Sequence, residues 1–312
     1  MARRRFRLVV SCSAALVTTV AVVAGSSAPA QAAFPGKNGR IVFDTAWGWF
    51  NGGPPSQIWT VRPNGEGRRQ LTHVTGEASA FHPTFAPRAG RIAFVVHEDG
   101  SNDQVWVMRA DGTHQRVLVA EPDWSDGGPS FTPDGQRVLY SRCGNYVAFY
   151  WTCKIVSVKL DGTGRRTVVG GLWHHTDPVA SPDGKRIAYI SDEGGYDAQI
   201  WVARADGSRR HRLPMRISME RVMWSPDSTR LVFTEFRHGS VWIVNVDGSG
   251  LRKIAPDDIF AAWSPNGARI VMKAGDGPGL LPLVTVNTRG RDRHRVVPAS
   301  LGPGYSDWGI KR

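Results

Sequence analysis

One pattern recurs along this chain and limits its fold more than any other property. It is a Ser-Pro-Asp-Gly turn, a basic residue, an apolar run, a loop, a second apolar run, then Asp-Gly. The clearest copy holds Ser181-Pro182-Asp183-Gly184, Arg186 to Ile190, Gln199 to Ala203 and Asp206-Gly207. The basic residue that opens the first run stands at Arg40, Arg91, Arg137, Arg186, Arg230 and Arg269, with spacings of 51, 46, 49, 44 and 39. A period of this size signals units that bury their apolar faces against their neighbours.

Each copy alternates apolar and polar residues with period two and carries frequent turn signals, which predicts strands rather than helices. Four strands fit each copy, here named a to d. Strand a ends in Phe85, Phe131, Ala180, Trp224, Trp263 or Trp308. Strand b follows the basic residue, and strand c carries Trp59, Trp106, Val156, Trp201, Trp242 or Val284. Strand d is short and basic, as in Arg165-Arg166-Thr167 and Arg209 to Arg212. Such copies predict an all-β, six-bladed β-propeller with four antiparallel strands per blade. The first copy starts at strand b, Gly39 to Phe43, whereas Tyr305 to Ile310 has the strand a pattern with no strand b after it. Pairing of this C-terminal strand with the first blade is expected to close the ring and remove its open edge. The 35 Gly and 20 Pro suit so many turns, and 41% hydrophobic residues exclude wholesale disorder.

Residues 1–32 lie outside the repeat. Arg3, Arg4, Arg5 and Arg7 precede an apolar run, Leu8 to Ala24, and Ala30-Gln31-Ala32 is a small-x-small site. This reads as a signal peptide cleaved near Ala32, leaving 33–312 as a single propeller domain. No other stretch nears the ~18 apolar residues of a membrane span, so an exported, monomeric protein of the cell envelope, periplasm or medium is expected. Residues 1–32 carry four arginines and no acid, so the formal +12 of the whole chain falls to +8 for the rest. That balance permits anionic partners without requiring one. Of three cysteines, Cys143 and Cys153 lie beyond residue 32, and an oxidising compartment would pair them.

Ser181-Pro182-Asp183-Gly184-Lys185-Arg186-Ile187-Ala188-Tyr189 with Gln199-Ile200-Trp201-Val202 resembles the repeat of the TolB-like propeller family, a relative of WD-type repeats. Ser225-Pro226-Asp227, Ser264-Pro265-Asn266-Gly267 and Thr132-Pro133-Asp134-Gly135 carry the same likeness, which covers about residues 34–312. The resemblance implies the fold, and a role in binding partners of the envelope or beside a hydrolase.

Antiparallel order puts the a–b and c–d turns on one face of a propeller and the b–c and d–a connections on the other. The first set is short and uniform, and its Asp-Gly pairs are turn formers. The second set is longer and includes 44–56, 142–152 and 170–176. Seven of the 12 Trp fall in repeat columns and read as core. The other five, Trp47, Trp49, Trp124, Trp151 and Trp173, all fall in the second set, with Phe50, Tyr146, Phe149, Tyr150, His174 and His175. Aromatics gathered on one loop face either bind something or fold over the channel mouth and plug it.

The leading reading is a non-enzymatic exported propeller that binds an envelope or extracellular protein, peptide or glycan through Trp47, Trp49, Trp124, Tyr146, Tyr150, Trp151, Trp173, His174 and His175. A Cys143–Cys153 disulfide would hold the 142–152 loop in place. The alternative is a polysaccharide lyase or hydrolase at the channel mouth, with Asp123, Asp126, His174, His175 and Asp177 available as acids and bases. A third is an envelope component retained by its basic rim. No Gly-x-Ser-x-Gly or His-Glu-x-x-His motif occurs, so no catalytic residue, metal or cofactor is assigned. The acidic tips Glu98 to Asp103 and Asp192 to Asp197 lack the spacing of a calcium loop. Charge on strand d reads as protection of an outer edge rather than as a nucleic-acid surface.

Overall fold

The computed structural model describes residues 34–45, 54–98, 101–147, 150–195, 197–215, 219–235, 239–275 and 280–311, with backbone alone for 145–147, 150, 151, 219 and 220. The expected signal peptide, Trp47, Trp49, Phe50 and Phe149 therefore lie outside the described residues.

The apolar runs pair as their alternation dictates, into six four-stranded antiparallel sheets. Blade 1 contains β1 (Asn38–Asp44), β2 (Ile58–Val61) and β3 (Arg69–Gln70). Blade 2 contains β4 (Ser79–Phe85), β5 (Arg91–His97), β6 (Gln104–Arg109) and β7 (Arg116–Val119). Blade 3 contains β8 (Ser125–Phe131), β9 (Arg137–Val147), β10 (Tyr150–Lys159) and β11 (Arg166–Val169). Blade 4 contains β12 (His175–Ala180), β13 (Arg186–Ser191), β14 (Gln199–Arg204) and β15 (His211–Arg212). Blade 5 contains β16 (Met219–Trp224), β17 (Arg230–Glu235), β18 (Ser240–Asn245) and β19 (Arg252–Ala255). Blade 6 contains β20 (Asp258–Trp263), β21 (Arg269–Ala274), β22 (Leu283–Asn287) and β23 (His294–Val297). The last strand, β24 (Ser306–Ile310), joins blade 1 beside β1.

The six a strands, β4, β8, β12, β16, β20 and β24, each touch the next, and β24 touches β4, so they form the inner wall of a closed ring. Trp224, Trp263 and Trp308 at their ends are buried, and Arg186 and Arg230 of the preceding blade cover Trp224 and Trp263 at 5.1 and 4.9 Å. Each such contact contributes roughly 0.5–2 kcal/mol at the blade junction. The tight turns are as structural as their sequence suggests. In the fourth blade, Ser181 Oγ donates to Asp183 Oδ1 at 2.6 Å, and the same hydroxyl accepts the Arg186 N–H at 2.9 Å. Gly207 has φ +84°, and a Cβ there would lie 1.8 Å from the Val168 carbonyl, so only glycine fits.

One expected loop is not a loop. Residues 142–147 and 150–152 continue the ladder of β9 and β10, with Tyr146 opposite Trp151 and Cys143 opposite Cys153. The two paired strands, β9 and β10, thus form a long ribbon that runs well past the point where the turn signals placed the loop. The Cys143–Cys153 disulfide forms across its middle, with Cα atoms 4.1 Å apart.

Candidate functional site

Every pairing of strand a with strand b carries one register shift, on strand a at Phe81/Thr84, Gly127/Ser130, Thr176/Val179, Glu220/Val222 and Ile259/Ala262, and on β1 at Asn38/Ile41 in the pair with β24. The displaced residue stands three positions before the column of Phe85, Phe131, Ala180, Trp224, Trp263 and Trp308. That column reads His82, Gly128, Asp177, Arg221, Phe260 and Tyr305. Its first five members have left-handed backbones, with φ between +43° and +58°. Glycine is the residue such a bulge prefers, yet four of the five are not glycine. Each exception costs roughly 1–2 kcal/mol. The backbone does not ask for these side chains, so their value lies in what they present at the axis.

They do meet there. The Phe260 and Tyr305 rings stack with centroids 4.0 Å apart, and His82 meets Tyr305 edge-on at 3.9 Å. The Arg221 guanidinium lies 5.0 Å from the Tyr305 ring and donates to the Ser306 carbonyl at 3.0 Å. Asp177 faces Gly128, where a Cβ would come within 2.8 Å of the Asp177 carboxylate, so glycine at this one position makes room for the acid. All five side chains remain half-buried rather than sealed. Beneath them the channel narrows to a cavity of about 50 Å³ that Phe34, Phe85, Phe131 and Trp308 also line. That is room for a water or two, not for a polymer. Among the described side chains, the ring column and Phe34 line the axis.

Electrostatics at the ring follow from burial. Asp44 at the end of β1 is fully buried and accepts the backbone N–H groups of His82 at 2.8 Å and Tyr305 at 2.9 Å. Burial outweighs those bonds and pushes its carboxyl up to about 7. Burial holds His82 neutral, its pKa lowered to about 3, with Arg221 adding to the effect. Burial also raises the Asp177 carboxyl, against the pull of Arg221.

The aromatic candidates divide. Trp173 is 41% exposed, and its neighbour Leu172, which no sequence argument singled out, is 75% exposed. The connection beneath them is pinned. The Trp173 carbonyl accepts the Cys153 N–H at 3.1 Å, and Asp192 accepts both the His174 N–H at 2.8 Å and its ring Nδ1 at 2.9 Å. Leu172 and Trp173 therefore form a rigid apolar knuckle. Trp124 is different: it lies over Gly144, where a Cβ would meet its ring at 2.7 Å, with the Lys154 amine 4.4 Å above. Half-buried, it serves mainly as wall. His175 is a correction. Its neighbour in sequence points outward, so period two turns it inward, where it is fully buried with Nδ1 2.9 Å from Ser191 Oγ. Tyr146, Tyr150 and Trp151 are described by backbone alone, on the ribbon that carries the disulfide.

The acids and bases considered for catalysis are not brought together. Asp126 is held by Arg142, His174 by Asp192 and His175 by Ser191, while Asp177 alone reaches the axis. Among the described residues no three His, Cys, Asp or Glu side chains gather as a metal site would need. Two carboxylates of the acidic hairpin tips are used internally: Asp103 contacts His97 and Ser125, and Asp192 contacts His174.

Buried His175 gives a pH signature. Burial, then Arg210, lowers its pKa to about 4, below the ordinary 6.5. The native state thus binds fewer protons than the unfolded chain between those values. The stability this gives is complete above pH 6.5 and is lost as pH falls toward 4, by roughly 3 kcal/mol in full. Thermal melts from pH 7 to pH 4 should fall for the wild type and fall visibly less for His175→Gln. Parallel curves would refute the assignment.

Comparison with known proteins agrees with this architecture. No family model matches the chain. It is 30% identical over 156 residues to the Tol-Pal system protein TolB of Anaeromyxobacter dehalogenans (strain 2CP-C), covering 49% of this chain and 34% of that protein. It is 30% identical over 113 residues to the uncharacterized peptidase YuxL of Bacillus subtilis (strain 168), covering 34% of this chain and 16% of that protein. The chain thus spans about a third or less of the relatives it matches. Among solved structures, TolB from Acinetobacter baumannii superposes with a TM-score of 0.71 at 20% identity, covering 89% of this chain and 68% of that one. Oligogalacturonate lyase in complex with manganese superposes with a TM-score of 0.57 at 16% identity, covering 86% and 77%. The fold is a TolB-like six-bladed propeller.

Proposed function

We propose that this chain is an extracytoplasmic binding propeller that captures a protein or peptide segment on its long-loop face. The Leu172–Trp173 knuckle would be the apolar anchor, and the mouth of the channel, floored by Arg221, Phe260 and Tyr305, a polar and aromatic counterpart. The observation that carries this reading is the ring column: chemically varied side chains held on a backbone that would prefer glycine. Likeness to a Tol-Pal system protein supports it, as do the signal-like residues 1–32 and the disulfide that braces the loop face. A channel narrowed to about 50 Å³ favours capture at the mouth over threading of a polysaccharide through the axis.

The test is a pull-down from envelope extract with the purified protein, followed by quantified binding of whatever it enriches. Leu172→Ala/Trp173→Ala should weaken binding by at least ~30-fold, the size of a hot-spot loss of about 2 kcal/mol. Arg221→Ala/Tyr305→Phe should weaken it further, with melting cooperativity intact. A partner that binds both double variants as tightly as the wild type would sink this assignment.

A further inference from the structure

The opposite face carries a second hollow. Between blades 1 and 2 the tight turns part to leave a cleft of about 850 Å³, lined by four cations, Arg40, Arg62, Arg69 and Lys311, and one acid, Asp111, whose carboxylate is engaged by Thr113, with Phe85 and Ile310 as apolar lining. The equivalent hollow between blades 3 and 4 measures about 270 Å³. Arg40 is anchored by Nε to Thr60 Oγ1 at 2.9 Å and by Nη2 to the Gly67 carbonyl. Gly67 lies between two guanidiniums: a Cβ built on it would be 3.6 Å from Arg62 Nε and 3.7 Å from Arg40 Nη1. Like charges are thus crowded around one glycine. Glu66 reaches Arg62 only at 3.8 Å and in the open, where such a pair contributes little. Among the described residues Arg69 makes no ion pair.

The repeat shows that blade 1 differs in its acids rather than in its cations, since Arg137 is likewise crowded by Arg166. Four of the other five opening arginines have an aspartate at hand. Arg186 has Asp183 at 4.0 Å, Arg230 has Asp227 at 3.1 Å and Arg269 has Asp292 at 2.5 Å. Arg137 feels both Asp134 and Asp161. In blade 1 the positions of Asp134 and Asp161 hold Lys37 and Asn64. Partial burial and the nearby Arg62 and Arg69 hold the pKa of Arg40 below the usual arginine value. An anion in the cleft would relieve this repulsion.

We infer that the cleft between blades 1 and 2 binds an anion carrying two or more phosphate groups. Guanidinium forks match phosphate oxygens in pairs, and several cations around one hollow favour a ligand of high charge density over an isolated carboxylate. The cleft has room for more than one phosphate, and its apolar lining accommodates the apolar edge of whatever links them.

Titration calorimetry of the purified protein with inorganic tripolyphosphate tests this directly. Binding is expected at 50 mM salt and should weaken at least tenfold at 200 mM, as screening demands. Arg62 and Arg69 are exposed, so Arg62→Ala/Arg69→Ala should fold and lose at least tenfold in affinity. Arg212→Ala/Arg295→Ala, two exposed strand d arginines of other blades, should bind as the wild type does. The inference is overturned if no binding occurs at 50 mM salt, if both double variants lose affinity equally, or if citrate, a tricarboxylate, binds as tightly as tripolyphosphate.

Discussion

A chain ended after Gly304, lacking β24, should fail to form a stable propeller and should elute as an expanded or aggregated species with no cooperative melt. β24 pairs along β1 with Trp308 opposite Ile41, Asp307 opposite Val42 and Ser306 opposite Phe43. It also reaches the neighbouring blade: Asp307 Oδ2 accepts the Phe85 N–H at 2.8 Å and the Thr84 hydroxyl at 3.2 Å. Trp308 is 2% exposed and donates its indole N–H to the Gly39 carbonyl at 3.2 Å. Loss of the Trp308 side chain alone should cost about 3–5 kcal/mol. Loss of Asp307 would leave a buried N–H unsatisfied, at about 1–3 kcal/mol. The missing ladder bonds and the newly exposed edge of β1 come on top. Together these approach the ~5–15 kcal/mol that holds a typical domain. Graded variants make the claim quantitative: Trp308→Ala and Asp307→Ala should each lower the urea midpoint while remaining folded. A truncated chain that stays monomeric and melts cooperatively would show that the ring does not depend on this closure.

Such dependence was legible in the sequence because it rests on columns. Arg40 to Arg269 and the aromatic ends of strand a repeat in type, so their register fixes six blades and the orphan strand at the C-terminus. Cys143 and Cys153 were legible for a similar reason, although the ribbon between them reads as a loop until its ladder is seen. The ring column was not legible. His82, Gly128, Asp177, Arg221, Phe260 and Tyr305 share no chemistry, and a repeat search discards positions that vary. One signal was available: Pro83, Pro129 and Pro178 each follow a ring residue. Proline inside a strand marks a bulge or an edge, and strand a is both, the inner edge of its sheet and the site of the register shift. Leu172 was hidden because only exposure distinguishes it from the many leucines of a core. His175 was misplaced because adjacent histidines on an extended segment face opposite ways, and sequence does not say which faces out.

The loop face has its own structural hinge, and a single substitution should expose it. Asp126 on β8 is fully buried, and Arg142 on β9 is 5% exposed. Their fork is bidentate, Nε to Oδ1 at 2.8 Å and Nη2 to Oδ2 at 3.0 Å. Burial still pushes the Asp126 carboxyl above its ordinary value, so the pair is costly to keep dry and is held by geometry rather than by surplus energy. Above it, the Arg142 guanidinium lies 5.8 Å from the Trp124 ring and 5.6 Å from Tyr140. Asp126→Ala would strand a buried guanidinium whose next acid, Glu121, is 4.0 Å away and bound to Arg165 at 2.5 Å. The expected cost is about 3–5 kcal/mol in urea unfolding. Replacing both partners by apolar residues, Asp126→Leu/Arg142→Met, should recover most of that loss, because the penalty comes from an unpaired charge and not from the missing bond itself. A double variant as unstable as Asp126→Ala would mean instead that the fork positions blade 3 and that Trp124 depends on it for its seat.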